Sequence, residues 1–262
     1  MPFDVADTFR SLGFRASSES LRALLTDATK ARLSPVELCE RLATLERRER
    51  DATNLARRTR FATLGPFATL DTFDWNHPRS IDRPLYDRLL GLDFLANGTN
   101  VLFRGPSGVG KSTLAQNLGL AALAAGRRVR FATLAAVLAD LLKQESIPAF
   151  ERRLRRYANP DLLILDELGY LPCDSRSADI LYHILSRRHL QRSTVITTNL
   201  AFKTWNTVFP GAACVGALVD RFVERCFVVD VDAESWRQRN ATDSSPIPAA
   251  NLPVPRARRA RR

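Results

Sequence analysis

Residues 105–112, GPSGVGKS, satisfy every fixed position of the pattern G-x-x-x-x-G-K-[S/T] and lie between an apolar run (NVLFR) and a helical pattern. Glycines at 105, 108 and 110 let the backbone turn its N–H groups inward around phosphate oxygens. The start of the following helix adds the positive end of its dipole. The expected phosphate cradle is Gly105, Pro106, Ser107, Gly108, Val109, Gly110, Lys111, Ser112 and Thr113, with Lys111 on the outer phosphates and the Ser112 hydroxyl a ligand for Mg2+. Downstream, LLILDE places Asp166 at the carboxyl end of an apolar strand, where it can hold Mg2+ through water. Glu167, next to it, is the candidate base that polarises the attacking water. STVITTN ends in Asn199, a polar side chain at a strand tip that can orient this water against the γ-phosphate. Read alone, T-T-N is a strand running into a turn.

Two arginine sets admit two readings each. Asp220-Arg221 with Glu224-Arg225 one turn on is either a surface i, i+4 ion-pair set or a finger, Arg221 pointing into a neighbouring subunit's triphosphate. Arg237, in AESWR, is ambiguous in the same way. Arg152, Arg153, Arg155 and Arg156 crowd one helical stretch, with 152, 155 and 156 on a common face and only Glu151 beside them in sequence. They are either a solvated face or phosphate-binding side chains for nucleic acid. No base-reading element accompanies them, so little sequence preference is expected.

The elements that must position these residues are legible from periodicity. Helical patterns fill residues 1–65; in SPVELCERL, Ser34 is a plausible N-cap with Pro35 at the first helical position and Glu37 three after the cap. Val36, Leu38, Leu42, Leu45 and Leu55 form a rough apolar stripe on this helix. Residues 66–99 are a connector with turn signals and a helical pattern over 83–95. From 100 to 240 apolar strands alternate with helices, predicting an α/β domain around a five-stranded parallel sheet covered on both faces. Residues 241–262 are rich in Pro, Ala and Ser, end in five arginines, and are expected to be disordered.

Composition narrows the setting. A net charge of +11 and a pI near 10.3 call for a polyanionic partner, nucleic acid before membrane. No run approaches the roughly 18 apolar residues of a membrane span, and the N-terminus lacks the order of a signal peptide, so a cytoplasmic location is expected. Cys39, Cys173, Cys214 and Cys226 are scattered and read as reduced thiols.

GPSGVGKST, LLILDELGYLP, VITTNL followed by Trp205, LVDRF and ESWR, in this order and spacing, resemble the IstB-type ATPases, helper proteins of bacterial insertion sequences related to DnaC-type helicase loaders. TLDTFDW, RSIDRPL and LDFLANGTNVLFRGP extend the likeness over roughly residues 55–240. The resemblance implies an AAA+ fold of the initiator clade behind a helical N-terminal domain, with ATP and Mg2+ as cofactors. It implies subunits that oligomerise on double-stranded DNA, bend it, and act with the transposase of the same element. Carried over by position, Asp166 and Glu167 are the Walker B pair, Asn199 is sensor 1, Arg221 the finger in trans and Arg237 sensor 2. The arginines of FERRLRRYANP stand where the clade projects a helix toward DNA. A full C-terminal lid is expected to be absent. The alternatives are a replicative helicase loader on the same core and a P-loop kinase acting on a small molecule. The latter would need an acceptor-binding lid, which the sequence does not offer.

Overall fold

A computed structural model describes residues 4–170 and 173–233, and the chain divides into two compact units, residues 1–60 and 61–262. In the first, helices α1 (Val5–Ser11) and α2 (Ser18–Lys30) pack with the long α3 (Pro35–Ala62). Asp4 and Ser17 cap α1 and α2. Ser34 and Glu37 form a reciprocal box: the Ser34 amide donates to the Glu37 carboxylate (2.8 Å) and the Glu37 amide to Ser34 Oγ (3.3 Å). Ala6, Ala16 and Leu21 make a small core against Phe9, Phe14, Leu42 and Leu45. Val36 and Leu55, expected on the same stripe, are exposed; the short helices contribute too little apolar surface to cover more of α3. Buried Glu46 accepts the amides of Arg15 and Ala16, fixing the turn that leads into α2.

The second unit is built on strands β1 (Ser80–Ile81), β2 (Asn100–Arg104), β3 (Val129–Thr133), β4 (Leu162–Leu168), β5 (Ser193–Thr198) and β6 (Cys226–Asp232) in the order β1-β6-β2-β5-β4-β3. The five expected strands are parallel. The correction is a sixth: two-residue β1 pairs antiparallel with the end of β6, Ser80 opposite Asp232. A pair that short carries no periodicity to read. Residues of β2 alternate between two cores. Val101 and Phe103 join α4 (Arg83–Leu90) and α5 (Lys111–Ala124); Leu102 joins α6 (Leu134–Leu142), α7 (Ile147–Ala158), α8 (Ser175–Arg188) and α10 (Val215–Val223), while the short α9 (Trp205–Val208) adds Trp205 to that second face. Burial on both faces explains the unbroken apolar runs. The expected helix over 83–95 stops at Leu90, turns at Leu92 in the left-handed region (φ 67) and resumes as a 3-10 turn.

Two devices brace the ends of the sheet. The connector wraps α5: Gln116 Nε2 donates to the Leu64 carbonyl (2.6 Å), Asn117 Nδ2 to that of Ala68 (2.9 Å), and Tyr86 Oη to that of Leu114 (3.0 Å). Arg188, fully buried, donates to the carbonyls of Tyr157 (3.1 Å), Ala158 (3.0 Å), Pro160 (2.7 Å) and Ser193 and to Thr194 Oγ1 (2.9 Å). It thereby closes the open carbonyls at the end of α7 and joins them to the start of β5.

Candidate functional site

The loop after β2 turns where its glycines demand. A Cβ on Gly105 would sit 2.0 Å from the Val231 carbonyl oxygen of β6, so no other residue fits without parting the strands. Gly110, with φ 95, caps α5, and a Cβ there would meet the Phe73 ring at 2.9 Å. Phe73 and Trp75 stack 4.8 Å apart and Arg83 lies 3.4 Å over the Trp75 ring, so the TLDTFDW stretch backs the loop. Lys111 is buried, its Nζ donating to the carbonyls of Gly105 (2.8 Å) and Pro106 (2.5 Å) at the loop mouth.

Ser112 Oγ donates to Asp166 Oδ1 at 2.8 Å, joining the first turn of α5 to the end of β4. Asp166 is buried, and Thr197 Oγ1 also donates to its Oδ1. A buried carboxylate beside a hydroxyl is a donor set suited to a hard divalent cation. Between Leu165 and Leu168 the β4–β5 register slips, and there Glu167 takes φ 65. Its amide donates to Thr197 Oγ1 (3.0 Å), which holds a left-handed turn that costs a non-glycine residue about 1 kcal/mol. The turn leaves Glu167 exposed while Asp166 stays buried. Thr197 therefore organises both carboxylates, and Thr198 Oγ1 pins the Leu168 carbonyl at 2.8 Å. Sequence reasoning passed over both threonines: in a β-branched run such as STVITT they read as strand formers. Their one signal was two hydroxyls at the tip of a buried strand.

Asn199, exposed, lines a cleft of about 660 Å³ with Gly105, Pro106 and Ser107, over which Arg104 and Asp230 form a bidentate pair (2.6 and 2.8 Å). Tyr170 Oη and Ser107 Oγ lie 3.1 Å apart, tying the turn after β4 to the loop. Lys111, Ser112, Asp166, Glu167 and Asn199 thus gather at the carboxyl ends of β2, β4 and β5, with Val109 buried beneath and Gly108 and Thr113 completing the cradle.

A family model for the IstB-like ATP binding protein matches residues 8–244. The chain belongs to that family. It is 31% identical over 237 residues to the insertion sequence IS21 putative ATP-binding protein of Pseudomonas aeruginosa, covering 90% of this chain and 89% of that one. Against the IS5376 putative ATP-binding protein of Geobacillus stearothermophilus the identity is 30%, over 85% and 88% of the two chains. Among solved structures, AMPPCP-bound DnaA from Aquifex aeolicus superposes with a TM-score of 0.55 at 20% identity, covering 71% of this chain and 58% of that one. The DnaC helicase loader does so with 0.50 at 21%, over 63% and 97%. These likenesses fix the fold as that of the AAA+ P-loop domains, and the relatives just described carry insertion-sequence names.

Other members of the expected site lie elsewhere on this IstB-like chain. Arg221 is in the last turn of α10, and the neighbouring Phe222 carbonyl accepts from Asn100 Nδ2 (2.9 Å) at the first residue of β2. The whole of β2, roughly 13 Å at about 3.3 Å per residue, separates that end from the glycine loop. The intrahelical ion-pair set is not formed: Glu224 faces His189 Nε2 (2.7 Å), and the Arg221 guanidinium carbon lies 5.1 Å from the centre of the Tyr182 ring. On α7, Arg152 and Arg155 are exposed and Arg156 half-buried. Arg153 is paired with Asp140 of α6 (2.6 Å), and Glu151 with Arg187 (2.7 Å). The hydrogen bond from Arg153 holds the Asp140 carboxyl below its usual range, whereas burial and the same Asp140 push the Tyr157 hydroxyl up to about 12. Arg237 and the arginine-rich segment 241–262 lie outside the described residues. No helix among the described residues is long and apolar enough to cross a membrane.

Proposed function

We propose that this chain is an ATP-hydrolysing, DNA-binding regulator of transposition. ATP-bound subunits oligomerise on target duplex DNA with little sequence preference, remodel or bend it, and recruit and activate the transposase of the same element; hydrolysis resets the assembly. The observation that carries the reading is the split between a complete phosphate and carboxylate site at the carboxyl ends of the strands and Arg221 at their amino ends. An arginine so far from its own loop can serve hydrolysis only from a neighbouring subunit. Within the site, the amides of 105–113 and Lys111 hold the triphosphate, Lys111 exchanging the Gly105 and Pro106 carbonyls for phosphate oxygens. Ser112 and Asp166 would hold Mg2+, which would supply charge neutralisation on the phosphates. Glu167 accepts a proton from the attacking water and Asn199 orients it. Arg221 of the next subunit meets the charge that develops on the γ-phosphate, and Arg237 is assigned to the same nucleotide as sensor 2.

Arg152, Arg155 and Arg156 contact DNA phosphates on this reading, with Arg153 holding α7 to α6. The helical segment 1–65 is assigned to contact with the transposase and with DNA, 66–99 to the connector and 100–240 to the ATPase domain. The test mixes two inactive proteins. Arg221→Ala subunits keep an intact loop and Lys111→Ala subunits an intact finger, so mixtures regain hydrolysis if the site is shared. Electron microscopy with a non-hydrolysable analogue, with and without duplex DNA, then reads the assembly. Absence of rescue at every mixing ratio, or no DNA-dependent oligomer, overturns the proposal.

A further inference from the structure

Between α6 and α7, at the β3 edge of the sheet, lies a cleft of about 370 Å³ lined by Arg130, Lys143, Arg153, Arg156, Asp140 and Tyr157 together with small residues of α6. Its charges do not cancel. Asp140, the one acid in the lining, is already used by Arg153 (2.7 and 2.8 Å) and by the Tyr157 hydroxyl (2.5 Å). Three cations are left over. Arg130, on β3, is only 7% exposed, and a guanidinium so enclosed ordinarily has a carboxylate against it. Here Nη1 donates to the Phe61 carbonyl (2.8 Å), while Nε is buried and unpartnered. Burial first, and then the charge of Arg156, lower its pKa. Neither Lys143 nor Arg156 makes an ion pair among the described residues.

Gathering four cations around a single carboxylate in one concavity costs stability. The arrangement is neutralised by a ligand that brings negative charge and several acceptor oxygens, and arginine forks match a tetrahedral oxyanion in both respects. We propose that this cleft seats one phosphate group of a DNA backbone, held by Arg130, Lys143 and Arg156. The inference rests on the DNA-binding reading and adds a defined seat to it: the exposed Arg152 and Arg155 meet neighbouring phosphates, while the cleft takes one phosphate inward and sets the register of α7 on the strand.

The test uses the full chain, a short labelled duplex and a non-hydrolysable ATP analogue, with affinity measured across salt concentrations. Because the cleft cations share one phosphate, Lys143→Ala/Arg156→Ala is expected to flatten the log–log salt slope by about 0.9, not twice that, and to weaken binding about fivefold near 0.15 M salt. Its thermal midpoint stays level or rises, since repelling charges are removed. Arg152→Ala/Arg155→Ala supplies the second arm. If that pair weakens binding and the cleft pair leaves the slope unchanged, the seat is overturned and the DNA reading stands. If neither pair moves the slope, both fall. Loss of inorganic phosphate binding with duplex affinity intact assigns the cleft to free phosphate and overturns the backbone seat. A lower thermal midpoint accompanying the weaker binding marks the cations as structural and also overturns it.

Discussion

Arg188 is a fully buried cation that makes no ion pair among the described residues, and its removal tests how α7 is held. Five buried acceptors, four backbone carbonyls and one hydroxyl, take its guanidinium, and the part-buried Asp161 carbonyl lies at 3.5 Å. In Arg188→Met these five acceptors lose their donor at about 1 kcal/mol each. Relief from burying a charge returns part of this, about 2 kcal/mol, because taking an ion out of water costs several. The net loss is about 3 kcal/mol, which in a unit of this size lowers the thermal midpoint by about 6–12 °C. Arg188→Lys separates the two contributions: it keeps the charge but has three donors at a single point for acceptors spread around a plane. It should therefore be no more stable than the Met variant. Urea denaturation followed by tryptophan fluorescence, Trp205 being fully buried, gives the free energies. Amide exchange at the end of α7 gives the location of the loss. A Met variant within about 1 kcal/mol of the parent, or a Lys variant that restores it, would refute the argument that the fork itself ties α7 to β5.

Thr197→Val keeps the shape of β5 but removes the donor to Asp166 and the acceptor for the Glu167 amide; ATP hydrolysis should fall about tenfold or more with nucleotide affinity nearly unchanged, as a group acting on the transition state requires. Gly105→Ala forces a methyl into the Val231 carbonyl, and equilibrium nucleotide binding should be lost together with more than about 2 kcal/mol of stability. Burial raises the Glu46 pKa, but hydrogen bonds from Arg50 and from the Ala16 and Arg15 amides outweigh this, and the folded value lies below 4.5. Its contribution is therefore complete above pH 4.5 and lost as pH falls through the lower folded value. Urea midpoints compared at pH 5 and pH 3 should drop less in Glu46→Gln than in the parent, and an equal drop would remove Glu46 from the account.

The glycine loop and the carboxylate beside it were legible because their geometry is local. One strand, one loop and one helix carry 105–113, and the apolar run of β4 delivers Asp166 to a strand end whatever its neighbours are. Glu167 shows where this reasoning stops. Its orientation depends on a register slip against β5 and on the Thr197 hydroxyl, a pairing between segments separated by α8 that no local pattern announces. The same holds for Asp140 and Arg153: along the chain Arg153 is one of four arginines with a single glutamate beside them, and only the packing of α6 on α7 shows that its partner is an aspartate 13 residues earlier. The antiparallel β1 and the break after Leu90 were invisible for a simpler reason, being shorter than one period of either pattern.

Topology also bears on the two readings of Arg221 in a way spacing cannot. In a parallel sheet every crossover helix runs back from the carboxyl end of one strand to the amino end of the next, so the last turn of α10 must lie at the pole opposite the glycine loop. Arg221 is held there against Tyr182, with Glu224 drawn off to His189, and it makes no ion pair among the described residues. A cation left unpaired at the pole where it cannot reach its own phosphates makes sense if a second copy presents its loop to that pole. Hydrolysis would then require assembly.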